Sequence, residues 1–460
     1  MSNVLRCISP IDGSVFAERA ILTNAEADAV VARAKDAQAD WAARPLAERI
    51  DLVMKGVARL GEMNDEIVPE LAHMMGRPVR FGGEFGGVNE RASYMAGIAE
   101  EALAPLVIES SDAFDRRIKR VPHGVVLVIA PWNYPYMTAI NTVAPALIAG
   151  NTVVLKHASQ TLLVGERMVR AFVEAGVPED VFQNVFLDHD MTSALIGAGH
   201  FGFVNFTGSV AGGRAIERAA AGTFTAVGLE LGGKDPGYVM EDADLGKAVD
   251  TLMDGAMYNA GQCCCGIERI YVVESLYEDF VDKAIAFAEA YKLGNPLDEA
   301  TTLGPMANER FAAEVRAQTS EAVAAGARAL IDPARFPEDD GGTYLMPQIL
   351  VDVTHDMRVM RDESFGPVVG IMKVKDDEEA IRLMNDCDFG LTASLWTADV
   401  DRADAIGDRI ETGTVFMNRA DYLDPALCWT GCKDTGRGGA LSVIGFHNLT
   451  RPKSYHFRKG

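Results

Sequence analysis

From Gly124 onward, short β-branched runs alternate with helix-length stretches: 125–129, 152–155, 181–187, 203–206 and 226–229 read as strands. That rhythm predicts a parallel sheet whose strands are joined by crossover helices. The stretch 138–149 ends at Gly150 and the stretch 162–175 at Gly176, and both glycines read as helix C-caps. Upstream, Thr23 and Glu26 form a capping box ahead of Ala27, Val30, Val31, Ala34 and Trp41, which recur at the spacing of an amphipathic helix. Beyond Glu230, helices are expected at Leu245–Met257 and 276–291 in a second α/β unit. A chain of 460 residues is too long for one ordinary core and implies two or three domains.

Charge narrows the function classes. The chain has 43 Lys and Arg against 66 Asp and Glu, a net charge of −23, which repels phosphate backbones and anionic membrane faces. No nucleic-acid partner and no membrane association are expected. The start of the chain lacks the apolar core of a signal peptide, and no apolar run reaches the length of a span. Seven cysteines, three of them contiguous, do not form a disulfide framework. They fit a reducing compartment, so a cytoplasmic protein is expected, with Cys428 and Cys432 unpaired.

Three stretches carry chemistry. Asn259-Ala260-Gly261-Gln262 leads into Cys263-Cys264-Cys265-Gly266. Structural zinc sites need cysteine pairs spaced by two to four residues, so three adjacent thiols are not expected to wrap one metal ion. Small buried hydrophobes are the commonest fate of free cysteines, and only their company favours a nucleophile. Glu230 stands alone in the apolar run Leu229-Glu230-Leu231, before glycines that permit close backbone approach. Asn133 lies in Pro131-Trp132-Asn133-Tyr134-Pro135, directly after a strand, an uncharged amide between two prolines. Nucleophile, base and amide donor are the parts that acyl-type chemistry at a thiol requires.

These stretches, in this order, resemble the aldehyde dehydrogenase superfamily. The similarity runs nearly end to end and includes Ser9-Pro10-Ile11-Asp12-Gly13, Phe206-Thr207-Gly208-Ser209, Glu363-Ser364-Phe365-Gly366-Pro367 and Gly431-Cys432-Lys433-Asp434-Thr435-Gly436. The resemblance implies an α/β fold with a Rossmann-like parallel-sheet cofactor domain (1–104 and 123–229), a second α/β catalytic domain (230–434), and a small oligomerisation β-extension (105–122 and 447–460). It also implies a homodimer or homotetramer. Oxidation of an aldehyde to its acid is the implied activity. Cys264 corresponds to the nucleophile, Asn133 and the Cys264 N–H to the oxyanion donors, and Glu230 to the general base that releases a thioester with water. A CoA-acylating relative would lack that glutamate, and a non-catalytic protein on the same fold would have no physical reason to keep all three groups.

The strict G-x-G-x-x-G fingerprint after a strand is absent, and Gly82, Gly83, Gly86 and Gly87 read as a surface turn. Thr207-Gly208-Ser209 does follow a strand and precedes the helix Val210–Ala220, where backbone N–H groups and the Ser209 hydroxyl suit a pyrophosphate, or simply an N-cap. By resemblance, Ile129, Trp132, Lys156, Ser159, Gly208, Ser209, Leu231, Glu363 and Phe365 form the cofactor site. Where NAD-preferring relatives carry Lys-Pro-x-Glu, this chain has Lys156-His157-Ala158-Ser159. A serine leaves room for a 2′-phosphate that a carboxylate would repel, so NADP as well as NAD is expected to be accepted. Alternatively Ser159 is only the N-cap of the following helix. The expected substrate pocket comprises Tyr136, Thr138, Asn141, Tyr258, Cys263, Cys265 and Trp429, a lining that leans towards uncharged aldehydes, because Asn141 stands where succinate-semialdehyde-type relatives carry an arginine. Arg419 remains a possible anchor for an acid.

Overall fold

The computed structural model describes residues 4–459; the first three residues and Gly460, which belong to the expected terminal segments, lie outside it. Five of the strands read from sequence form one sheet in the order Phe182–Asn184, Thr152–His157, Val125–Ala130, Phe203–Thr207 and Ala226–Glu230, all parallel. A two-residue strand, Gly436–Arg437, closes its far edge antiparallel, with Gly436 opposite Glu230. The expected strand at 181–187 shortens to Phe182–Asn184, because it is the last strand and pairs on one side only. Crossover helices Pro135–Ile148 and Leu162–Glu174 end at Ala149 and Ala175, and Gly150 and Gly176 follow at φ 93° and 101°. Helices Val210–Ala220 and Leu245–Met257 have the expected limits.

The N-terminal part opens with an antiparallel pair, Val4–Ile8 with Val15–Ala20, which the helical reading did not include. Helix Asn24–Ala43 follows, with the Thr23–Glu26 capping box formed in both directions. A second, seven-stranded sheet is built on the parallel strands Asp235–Val239, Ile267–Val273, Val368–Val374, Gln348–Val351, Thr392–Trp396 and Thr414–Met417. A third sheet pairs Phe114–Pro122 with Leu106–Ser110 on one side and with Thr450–Arg458 on the other, antiparallel throughout. Among the described residues no helix is long and apolar enough to cross a membrane.

The chain order fixes where chemistry can happen. Asn133, Ser159, Ser209 and Leu231 each lie just beyond the carboxyl end of a strand of the first sheet. The three cysteines lie just before the amino end of Ile267–Val273 in the second. A cleft between the two sheets therefore brings both groups together, as open parallel sheets place ligand sites outside the carboxyl ends of their strands.

Candidate active site

The turn before the thiols is under strain. Asn259 and Ala260 take φ of 54° and 55°, and Gly261 follows at 67°. Left-handed conformations cost a non-glycine residue free energy and persist only where surroundings enforce them. Here Asn259 Nδ2 donates to the carbonyls of Asn133 (3.3 Å) and Gln262 (3.2 Å), while Gln262 Oε1 accepts from the Ala307 N–H (2.8 Å). A Cβ on Gly261 would fall 2.2 Å from the Gly366 carbonyl oxygen, so the turn requires glycine.

This reversal gathers the Cys263, Cys264 and Cys265 sulfurs within 4.8 Å of one another. Neighbouring side chains diverge on a strand, but on this tight loop they do not. Cys263 and Cys265 are buried, and their thiols donate to Asp421 Oδ1 at 3.2 and 3.0 Å. Cys264 alone of the three is partly exposed. The neighbouring Cys263 and Cys265 sulfurs draw the Cys264 thiol well below its ordinary range against the opposing effect of burial, and both neighbours are held well above theirs. The middle sulfur is thus the most acidic of the trio. Among the described residues the Cys264 N–H donates to no backbone carbonyl, which leaves it available beside its own sulfur.

Glu230 ends its strand in the same cavity as Cys264, a space of about 410 Å³. Burial, then the nearby Cys264 thiolate, pushes its carboxyl up to about 7, while Thr207 Oγ1, 3.4 Å away, opposes the rise. Asn133 is buried, and its amide donates to the Gln262 carbonyl at 3.2 Å. Its own carbonyl accepts from Arg77 Nη2 at 2.6 Å, and Arg77 forms a buried ion pair with Glu84 at 2.6 Å. The amide is thereby tied directly to the cysteine loop.

Thr138, Asn141, Tyr258, Cys263, Cys265, Trp429 and Leu231 line the cavity as well. Tyr136 does not: only 2% of it is exposed, inside the hydrophobic core, with its hydroxyl unpartnered. Two helical positions turn about 200°, so with Thr138 on the cavity face Tyr136 points away from it. Gly83, Gly86 and Gly87, expected in a surface turn, instead form part of the cavity wall at the start of helix Phe85–Ala102. A Cβ on Gly87 would lie 2.2 Å from Met137 Sδ, so glycine lets two helices close on each other there. Arg419 stacks over the Tyr422 ring at 3.6 Å from its centroid and is not part of the lining.

The remaining predicted residues flank the cavity. Ile129 is buried in its strand, and Lys156 lies on the next, its ammonium pulled down by burial. Ser159 is exposed and opens a short 3-10 turn, Ser159–Thr161. It caps nothing: helix Leu162–Glu174 begins after that turn with no side-chain cap, which corrects the reading of Ser159 as its N-cap. Ser209 does cap Val210–Ala220, accepting from the Gly212 N–H at 3.2 Å, and Gly208 packs on the Phe206 ring. Glu363 accepts from the Gly233 N–H at 2.9 Å, and a Cβ on Gly232 would lie 2.4 Å from that carboxylate. Burial pushes Glu363 up to about 8. Phe365 meets the Trp132 ring edge to face at 5.5 Å, and Trp132 stacks on Phe311 at 5.3 Å.

Sequence reasoning missed Arg77, Glu84, Arg91 and Asp421. Each is an isolated charge with no local periodicity or spacing to mark it. The one available signal was the glycine cluster beside Glu84, which could have been read as close packing.

Comparison with known proteins identifies the family. The model of the aldehyde dehydrogenase family matches residues 1–455. The chain is 32% identical to a succinate-semialdehyde dehydrogenase [NADP(+)] of Deinococcus radiodurans, over 97% of this chain and 93% of that one. It is 33% identical to a betaine aldehyde dehydrogenase of Rhizobium etli, over 99% of this chain and 94% of that one. The crystal structure of an indole-3-acetaldehyde dehydrogenase complexed with NAD+ superposes with a TM-score of 0.94 at 30% identity, covering 99% and 93% of the two chains.

Proposed function

The chain belongs to the aldehyde dehydrogenase family, and from that membership we propose how its residues divide the oxidation of an aldehyde to its carboxylic acid with NAD(P). The convergence of Cys264, Glu230 and the Asn133-anchored loop on one cavity carries the reading. Cys264 attacks the aldehyde carbon as a thiolate and forms a thiohemiacetal. The Cys264 N–H and the Asn133 amide stabilise the oxyanion, an effect of about 2.7–4 kcal/mol per donor in acyl-transfer enzymes. NAD(P), when bound, supplies the hydride acceptor. The thioester left on Cys264 is hydrolysed by water, from which Glu230 takes the proton. A carboxyl at about 7 is matched to that task, being both ionised and basic near neutral pH. A base for water also favours hydrolysis over transfer to CoA.

The residues fit a dinucleotide on three counts. Ser209 opens an eleven-residue helix at a strand end, where N–H groups suit a pyrophosphate. Gly208 adds no side chain of its own there, where the Phe206 ring already packs. Lys156, 8% exposed, offers an ammonium with no hydrogen-bond partner among the described residues, and Ser159 stands exposed nearby in the chain. These two would hold the adenosine ribose or its 2′-phosphate, with Glu363 and Phe365 at the nicotinamide end and Ile129, Trp132 and Leu231 between.

Residues 1–104 with 123–229 serve as the cofactor domain and 230–434 as the catalytic domain. Segments 105–122 and 447–460 serve assembly into a dimer or tetramer, a role that suits the exposed Leu106, Val107, Ile108 and Phe457 of the third sheet. Seven cysteines, none in a disulfide, suit the cytoplasm. The test is Cys264→Ala, followed by reduced-cofactor absorbance with an aldehyde panel. Turnover should vanish, whereas Cys263→Ala and Cys265→Ala should only perturb it; near wild-type oxidation by Cys264→Ala would refute the mechanism.

A further inference from the structure

Two arginines enter the cavity wall, and the protein treats them differently. Arg77 is saturated: Glu84 neutralises it at 2.6 Å, and its other nitrogens reach the Asn133 carbonyl and Asn259 Oδ1. Arg91, on helix Phe85–Ala102, is 8% exposed, yet it makes no ion pair with any described carboxylate. Its Nη1 donates to the Met137 carbonyl (2.9 Å) and Asn141 Oδ1 (3.3 Å), and its Nε is buried with no partner.

The anionic groups around Arg91 are engaged elsewhere. Glu84 spends one oxygen on Arg77 and the other on the Met137 N–H at 2.7 Å. Glu90 accepts from the Tyr422 hydroxyl at 2.5 Å. Glu230 and Cys264 act on Arg91 only at a distance, and the proposed mechanism needs both for the reaction. A guanidinium remains charged at neutral pH even when burial opposes it, so the cavity holds a cation without a counter-ion. Proteins seldom leave a buried charge unpaired, because the uncompensated desolvation is costly.

We infer that Arg91 receives a carboxylate at the far end of the substrate, so that the cavity selects short semialdehydes of dicarboxylic acids over neutral aldehydes. This rests on the reading of Cys264 as the nucleophile, which fixes the aldehyde end. Asn141, whose presence alone argued against an acidic substrate, accepts a hydrogen bond from Arg91 and so helps aim an arginine supplied by the neighbouring helix. The planar fork of Arg91 keeps nitrogens free of any carboxylate for such a group. Asp254 and Asp421 also reach the cavity wall, but Asp254 is exposed to solvent and Asp421 Oδ1 is taken up by the Cys263 and Cys265 thiols.

The experiment compares kcat/KM for matched pairs: 4-oxobutanoate against butanal, and 5-oxopentanoate against pentanal, with betaine aldehyde as the cationic probe. The wild type should prefer at least one acid over its neutral partner by about 30-fold or more, the scale of a buried charge pair. Arg91→Met should collapse that ratio towards one through KM for the acid, and Arg91→Lys should restore part of it. A purely structural role for Arg91 would lower acid and neutral substrates alike and leave the ratio intact, which overturns the inference. Equal use of acid and neutral aldehydes by the wild type, or a preference for betaine aldehyde, also overturns it, even if a variant fails to fold. Inability to oxidise any aldehyde would instead defeat the proposed mechanism of Cys264.

Discussion

The second sheet and the carboxyl edge of the first treat a buried lysine in opposite ways. Lys234, 1% exposed, donates to Glu268 at 2.5 Å and to Ser364 Oγ at 2.9 Å. Glu268 in turn accepts the N–H groups of Ser364 and Phe365, each at 2.8 Å, and Ser364 Oγ donates to Gln318 Oε1 at 2.6 Å. The charge is paired, and the network fixes the loop that presents Glu363 and Phe365. Lys156 is buried nearly as deeply, and among the described residues it has neither a hydrogen bond nor an ion pair. Burial pulls it down and only the distant Asp188 opposes. A saturated buried charge builds a wall; an unsaturated one is reserved for a ligand. Arg77 and Arg91 repeat the same contrast across the substrate cavity.

The largest expected effect tests the wall. Glu268→Gln leaves Lys234 without its counter-charge and should lower stability by about 3–5 kcal/mol, measured by urea unfolding at neutral pH. Without Glu268 the folded pKa of Lys234 falls further below its unfolded value, so the unfolded chain binds more protons. The deficit should therefore shrink as pH rises towards the ordinary lysine range and deepen as it falls. Lys156→Met, by contrast, removes a charge that has no partner and should be neutral or stabilising. If the two substitutions cost the same, the distinction between wall and ligand site is wrong.

This contrast also explains what the sequence could disclose. The strands and helices around 125–230 were legible because short β-branched runs alternate with helix-length stretches that end at glycines, and the Thr23–Glu26 box because capping acts over three residues. Cys264, Glu230 and Asn133 were legible because each sits in an unusual local string. Arg77, Arg91 and Asp421 were not, since their meaning lies in partners far away in the chain: Asp421 meets Cys263 across 158 positions, and Arg77 meets Asn133 across 56. Tyr136 was misjudged for the same reason, because a helix's local sequence does not say which face meets the cavity when both faces are apolar. The convergence of three adjacent thiols depended on two left-handed residues, Asn259, whose type visits that region, and Ala260, which no propensity announces.

Glu230 belongs to neither class: it is half-buried, weakly bonded to Thr207, and held up to about 7. Glu230→Gln should slow thioester hydrolysis by about 10²-fold or more while sparing formation of the reduced cofactor in the first turnover, so a burst should survive. For the wild type, hydrolysis should fall as pH drops through a carboxyl value raised by burial but below about 7, since the thioester removes the Cys264 charge. The protonated carboxyl can no longer take a proton from water. The variant should lose that acidic limb. A variant whose steady-state rate is intact but whose burst is gone would contradict this role.

The smallest effect probes the open edge itself. Ser159 is exposed and caps no helix, so replacing it should shift thermal stability little. A carboxylate there faces whatever group occupies the Lys156 side of the site. Ser159→Glu should therefore depress kcat/KM with NADP about 5- to 10-fold more than with NAD, the scale of one like-charge contact of about 1 kcal/mol close to solvent. The effect should weaken at high ionic strength, since an exposed pair is screened. Steady-state assays with both cofactors, at low and high salt, read the difference directly. Equal losses with both would detach Ser159 from the cofactor, and a wild-type enzyme unable to use NADP would leave the unpaired ammonium of Lys156 without the ligand assigned to it.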